Sequence, residues 1–249
     1  MKKIFQRPAS LKTVPFRYCP GCGHSLIHRL IAECIDALGI REKIIGIAPI
    51  GCAVFAYDYF NFDVLEIPHG RPPAAASGLK RMLPDRIVFS YQGDGDLAAI
   101  GTAEIIHAAN RGENISVFFI NNATYGMTGG QMAPTTLIGQ KTSTTRLGRN
   151  RQTTGYPLRI AELLSTIDGS AFITRTSVDS EKNLQRTKQA IEKSFRYQMQ
   201  GIGFSLVEIL SPCPVDWKLS PLDSLAWIQN DMLPVYPLGV YKDVGKEGP

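Results

Sequence analysis

The stretch Gly93-Asp94-Gly95-Asp96 lies between a β-branched run and a helical segment, and its residue types suggest a phosphate or metal site. Gly93, Gly95 and Ala98 fit the pattern G-x-G-x-x-A, in which backbone amides and a helix N-terminus bind a pyrophosphate. The two carboxylates would repel a bare phosphate, however, and the next β-branched run ends in Asn121-Asn122, where a dinucleotide site would have a ribose-binding acid. A divalent cation removes this conflict, because a carboxylate, an amide oxygen and a backbone carbonyl can hold it while it bridges to a diphosphate. Mg²⁺ fits such a set of oxygen ligands.

Four of the five cysteines lie at turns and form a second set of possible ligands. Cys19 and Cys22 flank a Pro-Gly turn in CPGC, while Cys52 and Cys213 follow β-branched runs in IGCA and SPCP. A thioredoxin-like redox pair is disfavoured, because the segment before Cys19 is polar and interrupted by proline instead of forming a strand. The four residues together would make a Cys₄ set, and the Cys-Pro step is frequent at iron–sulfur ligands. Their spacing alone leaves an iron–sulfur cluster and zinc equally open.

The elements that must position these residues alternate along the chain. Short β-branched runs predict strands buried on both faces at 43–48, 63–67, 86–92, 115–121, 171–178 and 204–210. Helical periodicity between them predicts helices over 24–40, 73–83, 96–112 and 179–201. This alternation predicts an α/β fold with a doubly wound, mostly parallel sheet, whose ligands bind beyond the carboxyl ends of the strands.

Other segments have weaker signals. Residues 121–157 contain Gly, Thr and Pro without a clear period, so we expect a long loop that is functional or mobile. The tail after Pro234 is expected to be loosely ordered or docked on a partner. Cys34 is expected in the core, and the histidines on or beside helices are given no role: His24, His28 and His107.

Composition limits the remaining possibilities. The chain has 249 residues, of which 44% are hydrophobic, enough for one large domain with its own core. A formal net charge of +5, with basic and acidic residues interspersed, argues against a nucleic-acid-binding stripe. The odd number of cysteines argues against a secreted disulfide framework. With no signal-peptide pattern and no long apolar run, we expect a cytoplasmic protein without membrane association.

Gly-Asp-Gly at 93–95, followed after about 25 residues by Asn121-Asn122, resembles the thiamine-diphosphate motif. One helix and one strand set this spacing. The resemblance implies that Mg²⁺ is bound by the Asp94 carboxylate, the Asn122 side-chain oxygen and the Thr124 main-chain carbonyl. It also implies that Gly95 and Asp96 lie near the diphosphate.

The whole chain is similar to the thiamine-diphosphate-binding β subunit of 2-oxoacid:ferredoxin oxidoreductases, with most similarity to the branched-chain (2-oxoisovalerate) type. The segments that give this resemblance are YCPGCGH, IGCA, HGR, QGDGDLAAIGTAE, NNATYGMTGGQ, APTT and SPCP. It implies a [4Fe–4S] cluster held by Cys19, Cys22, Cys52 and Cys213. It also implies cofactor contacts from Ile50, Gly51, Cys52, Ala53, His69, Gly126 and Met127, although a histidine after a strand is often only a turn or core residue.

The resemblance implies a single thiamine-diphosphate-binding domain over 1–249, with an N-terminal Cys-X-X-Cys segment and a C-terminal extension. The implied reaction is oxidative decarboxylation of a 2-oxoacid with coenzyme A to acyl-CoA, CO₂ and reduced ferredoxin. In the family, the glutamate that activates thiamine diphosphate belongs to the α subunit, and no glutamate of this chain lies in the expected context. The chain is therefore expected to act only with an α subunit, together with γ and δ subunits, and no catalytic residue is assigned on it.

Substrate choice rests on two positions expected to line the cavity, Phe55 and Gly129. Some relatives that accept a range of oxoacids carry lysine at these places, whereas both residues are uncharged here. A second carboxylate, as in 2-oxoglutarate, would be buried without a cation, so a branched or otherwise apolar 2-oxoacid is favoured. The alternative is that Phe55 only packs in the core and the α subunit sets specificity, which leaves pyruvate, 2-oxoglutarate and aryl-pyruvates open.

Two functions of other classes compete with this hypothesis. One is a non-redox thiamine-dependent decarboxylase subunit with structural zinc on the cysteines. The other is a non-catalytic electron-transfer module that has lost thiamine. The intact Asp94 and Asn122 pair and the complete Cys₄ set disfavour both.

Overall fold

The β-branched runs pair into one sheet in the computed structural model, which describes residues 6–246. The strands are β1 Ile44–Ala48, β2 Asp63–Glu66, β3 Ile87–Gly93, β4 Ser116–Asn121, β5 Ser170–Ser177, β6 Phe204–Leu210 and β7 Gly239–Asp243. Their order across the sheet is β2-β1-β3-β4-β6-β5-β7. All pairings are parallel except that of β7 with β5, which is antiparallel. The predicted α/β fold with a mostly parallel sheet is confirmed.

Helices connect the strands. The α-helices are α1 His24–Leu38, α2 Ala56–Tyr59, α3 Pro72–Met82, α4 Thr102–Asn110, α5 Arg151–Thr154, α6 Ile160–Ser165, α7 Glu181–Met199, α8 Pro214–Trp217, α9 Pro221–Trp227 and α10 Leu233–Val235. Local chemistry sets some ends: the Ser180 side chain accepts from the Asn183 amide to cap α7, and Gly39 ends α1 with φ 65°. The helices predicted over 24–40, 73–83 and 179–201 are thus confirmed as α1, α3 and α7.

The helix predicted over 96–112 is wrong in one respect, because it is divided at Gly101. Residues Asp96–Ile100 form a π-helical turn, and α4 begins only at Thr102. The Gly101 amide donates to the Asp96 carbonyl at 2.9 Å, and a Cβ on Gly101 would lie 2.8 Å from the Gly70 carbonyl oxygen. The close approach of these two glycine backbones therefore shapes the turn, and such π-helical turns are frequent at functional sites.

Each central strand divides its side chains between two cores. Phe118 of β4 packs in the cluster that contains α1 and α7, whereas Val117 and Phe119 pack in the cluster that contains α3, α4 and α6. Because successive strand residues point to opposite faces, helices cover both sides of the sheet. This is the doubly wound arrangement that the sequence predicted.

Two predictions at the sheet edges are wrong. The strand at 63–67 is not buried on both faces: β2 pairs only with β1 in the described chain, and its residues are mostly exposed. Over residues 235–246 the tail is not loosely ordered, because β7 adds to the sheet and the Tyr236 side chain is fully buried, while docking on a partner stays a prediction. A third core cluster packs this tail against the chain after β4, through Tyr236 on the tail and Ala123 and Leu137 on that chain.

The predicted long loop at 121–157 folds back on itself around one arginine. Arg149 is 5% exposed. It donates to the main-chain carbonyls of Pro134 at 2.8 Å, Thr136 at 2.6 Å and Tyr156 at 2.7 Å. Charged donors to carbonyls are strong hydrogen bonds, so they fix a segment that has little regular structure.

Candidate cofactor site

The carboxyl ends of β1, β3 and β4 open onto one cavity of about 260 Å³. It is lined by His24, Ile50, Gly51, Cys52, Ala53, His69, Gly93, Asp94, Gly95, Asp96, Ala99, Ile100, Asn122, Thr124, Tyr125, Gly126, Met127 and Thr128. Every residue that the sequence predicted to contact Mg²⁺ or thiamine diphosphate is among them. The structure thus brings these residues together, and their individual roles stay predictions.

Asp94 and Asn122, the two side chains predicted to bind Mg²⁺, converge on one backbone amide. The Thr124 N–H lies 3.1 Å from Asp94 Oδ2 and 3.3 Å from Asn122 Oδ1. Ala123 makes this possible by adopting φ 57°, a left-handed conformation that is rare outside glycine. Its amide donates to Asn121 Oδ1 at 3.1 Å, which holds the turn. The first asparagine therefore shapes the turn and the second faces the cavity.

Asp94 is a buried carboxylate whose hydrogen-bond partners are all neutral. Its oxygens accept from the Gly95 amide at 2.9 Å, the Thr135 hydroxyl at 2.8 Å and the Thr124 amide. Burial raises its pKa to about 7, although these donors oppose the shift. A divalent cation would supply the positive charge that the neutral donors do not, and the carboxylate, amide and carbonyl oxygens here suit Mg²⁺.

Asp96 faces the same cavity but its oxygens are engaged elsewhere. Oδ1 accepts from the Gly70 amide at 2.7 Å, and Oδ2 accepts from Gln92 Nε2 at 2.6 Å. His69 Nδ1 lies 2.7 Å from Oδ1. Burial raises the pKa of Asp96, while the Gly70, Gln92 and His69 contacts lower it. In this arrangement Asp96 holds the HGR turn and orients the His69 ring at the cavity wall.

The four predicted cluster ligands lie in neighbouring turns. A Cβ on Gly126 would lie 3.3 Å from Cys52 Sγ and 3.6 Å from Cys213 Sγ, so these two sulfurs flank one glycine. The Cys22 amide donates to the Cys19 carbonyl at 3.0 Å, which closes the CPGC turn. That turn packs on SPCP, because a Cβ on Gly23 would come within 3.0 Å of Pro212 Cδ.

Burial favours the neutral thiol form of three of these cysteines, Cys22, Cys52 and Cys213. Burial raises the pKa of Cys22 to about 12 and that of Cys52 to about 11, and it also raises the pKa of Cys213. Metal binding would have to displace these protons. Within residues 6–246, no three His, Cys, Asp or Glu side chains are placed to hold one metal ion.

Comparison with known proteins agrees with this geometry. Residues 50–209 match the family described as "Thiamine pyrophosphate enzyme, C-terminal TPP binding domain", thiamine pyrophosphate being another name for thiamine diphosphate. The chain belongs to this family. That match begins at the IGCA turn and covers all the cavity-lining residues except His24.

Within the family, the chain belongs with the 2-oxoacid oxidoreductase subunits. It is 44% identical over 256 residues to the ketoisovalerate oxidoreductase subunit VorA of Methanothermobacter thermautotrophicus, covering 99% of this chain and 54% of that protein. It is 33% identical over 231 residues to the 2-oxoglutarate synthase subunit KorB of Archaeoglobus fulgidus, covering 93% of this chain and 82% of that protein. The chain thus spans about half the length of the VorA proteins that it matches.

A solved structure has the same fold. The 2-oxoglutarate:ferredoxin oxidoreductase from Magnetococcus marinus, with 2-oxoglutarate, coenzyme A and succinyl-CoA bound, superimposes with a TM-score of 0.79. The alignment covers 97% of this chain and 86% of that one, at 23% sequence identity. No helix in the described part of the chain is both long and apolar enough to cross a membrane.

Several residues at the family's site were not predicted from the sequence. His24, which was given no role, lines the cavity; burial lowers its pKa to about 4, so the ring is neutral. Asp216 Oδ2 accepts from Cys213 Sγ at 3.2 Å, and Trp217 Nε1 donates to the Asn122 carbonyl at 3.0 Å. Only His24 had a local signal, since it directly follows CPGCG. Asp216 and Trp217 reach the site through the fold of α8.

The two predicted substrate positions do not line this cavity in the chain alone, and their role in substrate choice stays a prediction. Neither Phe55 nor Gly129 is among the residues that line the cavity. The Phe55 ring packs against Tyr18, with centroids 5.9 Å apart, and against the core beside α1. Gly129 has φ 104°, and a Cβ added to it would meet no atom within 4 Å, as expected for a loop turn. The partly buried Phe55 side chain packs against the core, so both alternatives stay open: a pocket residue, or a core residue with specificity set by the α subunit.

Proposed function

We propose that this chain is the thiamine-diphosphate-binding β part of a 2-oxoacid:ferredoxin oxidoreductase that acts on branched-chain 2-oxoacids such as 2-oxoisovalerate. The reaction is oxidative decarboxylation with coenzyme A to acyl-CoA, CO₂ and reduced ferredoxin. One observation supports it above all: Asp94, Asn122, Thr124 and Cys52 line the same cavity. A site for a metal-bound diphosphate and a cysteine of the proposed cluster thus share one space.

The proposed roles of the residues follow from their positions. Asp94, the Asn122 side-chain oxygen and the Thr124 carbonyl would hold Mg²⁺, and Cys19, Cys22, Cys52 and Cys213 would hold a [4Fe–4S] cluster. When bound, thiamine diphosphate supplies a carbon nucleophile and an electron sink, and the cluster accepts single electrons. Gly95, proposed to lie near the diphosphate, lines the cavity, and a Cβ there would lie 2.6 Å from the Tyr125 ring, so glycine makes room for that ring beside the site.

The cavity is incomplete for catalysis, which supports a role for partner subunits. The described residues that line it include no glutamate that could activate thiamine diphosphate. Apolar side chains around it remain exposed, with Ile50 at 41%, Ile100 at 50% and Met127 at 44%. We propose that an α subunit or α domain covers this surface and contributes the glutamate. Further γ or δ subunits and ferredoxin complete the proposed assembly.

The lining also supports the proposed substrate class. Among the described cavity-lining residues there is no lysine or arginine, and burial lowers the pKa of His24. A second carboxylate on the substrate would find no fixed cation on this side of the cavity, and its burial would cost several kcal/mol. The higher identity to a ketoisovalerate oxidoreductase subunit than to 2-oxoglutarate synthase subunits agrees with this argument.

We also propose that residues 1–249 form a single thiamine-diphosphate-binding domain, with an N-terminal Cys-X-X-Cys segment and a C-terminal extension. A cytoplasmic location suits the odd number of cysteines.

The test is the reduction of ferredoxin by the complex purified anaerobically, with 2-oxoisovalerate, pyruvate or 2-oxoglutarate as substrate, each with and without coenzyme A. We expect the highest kcat/KM with 2-oxoisovalerate. Preference for another acid would refute the substrate assignment, and no reduction by a complex loaded with iron and thiamine diphosphate would refute the activity.

A further inference from the structure

Thr135, in the APTT segment, contacts Asp94 from a distant part of the chain. Its side chain is fully buried, and its hydroxyl donates to Asp94 Oδ2 at 2.8 Å across 41 residues of sequence. The carboxylate has about four lone-pair directions, and three are used by Thr135, Thr124 and Gly95. One direction remains for a cation. The hydroxyl thus helps to fix which way the carboxylate points.

Thr135 is itself held from the C-terminal segment. The Tyr236 hydroxyl, which is fully buried, donates to the Thr135 carbonyl at 2.6 Å. The β-branched side chain of threonine has few rotamers, so a fixed backbone also fixes the hydroxyl. The two hydrogen bonds form a chain from Tyr236 through Thr135 to Asp94. They connect the tail after α10 with the proposed magnesium site.

We infer that Thr135 is a positioning residue that orients the Asp94 carboxylate for Mg²⁺, and that Tyr236 holds Thr135 in place. This inference rests on the proposed function, because that proposal assigns Asp94 to the metal. The role differs from general support of the fold. A buried hydroxyl elsewhere can stabilise the chain by the same kind of hydrogen bond without any effect on metal affinity.

Thr187 offers that comparison within the same molecule. It is fully buried in α7, and its hydroxyl donates to the Ser177 carbonyl at 2.8 Å. Thr187→Val and Thr135→Val each remove one buried hydroxyl with almost no change of volume. Thr135→Ser keeps the hydroxyl and removes only a methyl group. A metal-specific effect must therefore appear in Thr135→Val alone.

The experiment measures thiamine diphosphate bound to the cofactor-depleted complex by equilibrium dialysis while the Mg²⁺ concentration is varied. For Thr135→Val we expect the Mg²⁺ concentration at half-saturation to rise about tenfold, the effect of one hydrogen bond to a charged group. Thr135→Ser should stay within about twofold of wild type, and Thr187→Val should not change. Thermal unfolding of each variant reports whether it is folded.

An unchanged Mg²⁺ requirement in folded Thr135→Val would overturn the inference, as would an equal rise in Thr187→Val. If Thr135→Val does not fold, Tyr236→Phe tests the inference instead, because it removes only the hydroxyl that holds Thr135. We expect a rise of about threefold for this variant, and no rise would overturn the inference. Wild-type complex that binds no thiamine diphosphate at any Mg²⁺ concentration would instead refute the proposed function.

Discussion

At the scale of single residues, the burial of Asp94 determines how the proposed metal site should respond to pH. Its pKa is raised to about 7 by burial, so the proton is held over a range where an exposed aspartate is fully ionised. A cation and a proton compete for the same carboxylate. Cofactor binding should therefore depend on pH in a range that an ordinary carboxylate would not affect.

The expected result is a loss of Mg²⁺-dependent thiamine diphosphate affinity on acidification. Above the raised pKa the carboxylate is ionised and affinity is constant; below about pH 7 it should fall by about tenfold per pH unit. The measurement is the dissociation constant between about pH 5.5 and pH 8.5. The same titration of Mg²⁺ with thiamine diphosphate in buffer gives the contribution of the diphosphate itself. Constant affinity down to pH 5.5, after that correction, would contradict the assignment.

The proposed cluster ligands allow a matched test, since the chain has one further cysteine. Cys213→Ala should remove the brown absorption and most of the bound iron, because the cluster would lose one of four thiolates. Cys34 is fully buried in α1 and packs in the aliphatic core. Cys34→Ala should therefore keep its iron and lose only a little stability. Equal iron in wild type and Cys213→Ala, measured on anaerobically purified complex, would remove Cys213 from the ligand set.

Much of the site could be predicted at this scale, because its residues directly follow strands. Asp94 and Asn122 directly follow the neighbouring strands β3 and β4, and parallel strands bring their carboxyl ends together. The supporting contacts could not be predicted. Thr135 reaches Asp94, and Trp217 reaches Asn122 across 95 residues, by hydrogen bonds that depend on loop geometry. Neither the periodicity nor the spacing of residues in the sequence predicts such contacts.

At the scale of elements, the turn after β4 must leave room for the sulfurs. A Cβ on Gly126 would lie 3.3 Å from Cys52 Sγ and 3.4 Å from Asp216 Oδ2. Gly126 does not have a positive φ, so an added methyl group would act through these contacts and not through backbone strain. We expect Gly126→Ala to lower the iron content of the complex by at least about half.

Gly78 is the control for this prediction. It lies exposed in α3, and a Cβ there would meet no atom within 4 Å. Gly78→Ala should keep the iron content of wild type and raise the free energy of unfolding by about 0.5–1 kcal/mol, because alanine is the better helix former. Iron analysis and chemical unfolding of both variants provide the check. A normal iron content in Gly126→Ala would contradict the prediction, because it would show that the turn accommodates an added methyl group beside the sulfurs.

The central strands of the sheet were easier to predict than the strands at its edges. Runs of β-branched residues identify the central strands, because burial on both faces demands them. β2 has a similar pattern but lies at an edge, and β7 contains Gly239, Lys242 and Asp243, which are not typical of a strand. Pairing with β5 stabilises β7 as a strand, although the strand propensity of these residues is low. Likewise, the π-helical turn Asp96–Ile100 depends on the approach of Gly70, which lies on another segment.

In the whole molecule, a buried ion pair connects strands β5 and β6 with the turn that follows β4. Arg175 of β5 and Glu208 of β6 are both fully buried, with Arg175 Nε 3.0 Å from Glu208 Oε2. Glu208 Oε1 accepts from Asn121 Nδ2 at 2.8 Å, next to the proposed ligand Asn122. The guanidinium also lies 5.1 Å from the centre of the Tyr236 ring. No local pattern predicts this contact, because its partners lie on separate strands.

Removal of one partner should be costly. Arg175→Leu leaves Glu208 buried and uncompensated, so we expect the free energy of unfolding to fall by about 3–5 kcal/mol. The double variant Arg175→Leu/Glu208→Leu should recover part of this loss, because a buried apolar pair carries no desolvation cost. Urea unfolding of the wild type and both variants measures the difference. A loss below about 1 kcal/mol in Arg175→Leu would mean that water reaches the pair.

Whether thiamine diphosphate and an iron–sulfur cluster work in one cavity can be decided by a single-turnover measurement. The brown absorption of the anaerobic complex is followed after addition of 2-oxoisovalerate and coenzyme A, without ferredoxin, for wild type and Asp94→Ala. We predict that the absorption of wild type bleaches as the cluster is reduced, whereas Asp94→Ala keeps its full iron content and does not bleach. Bleaching of Asp94→Ala at the wild-type rate, or no bleaching of wild type with both cofactors bound, would rule out electron transfer from thiamine diphosphate at this site to the cluster.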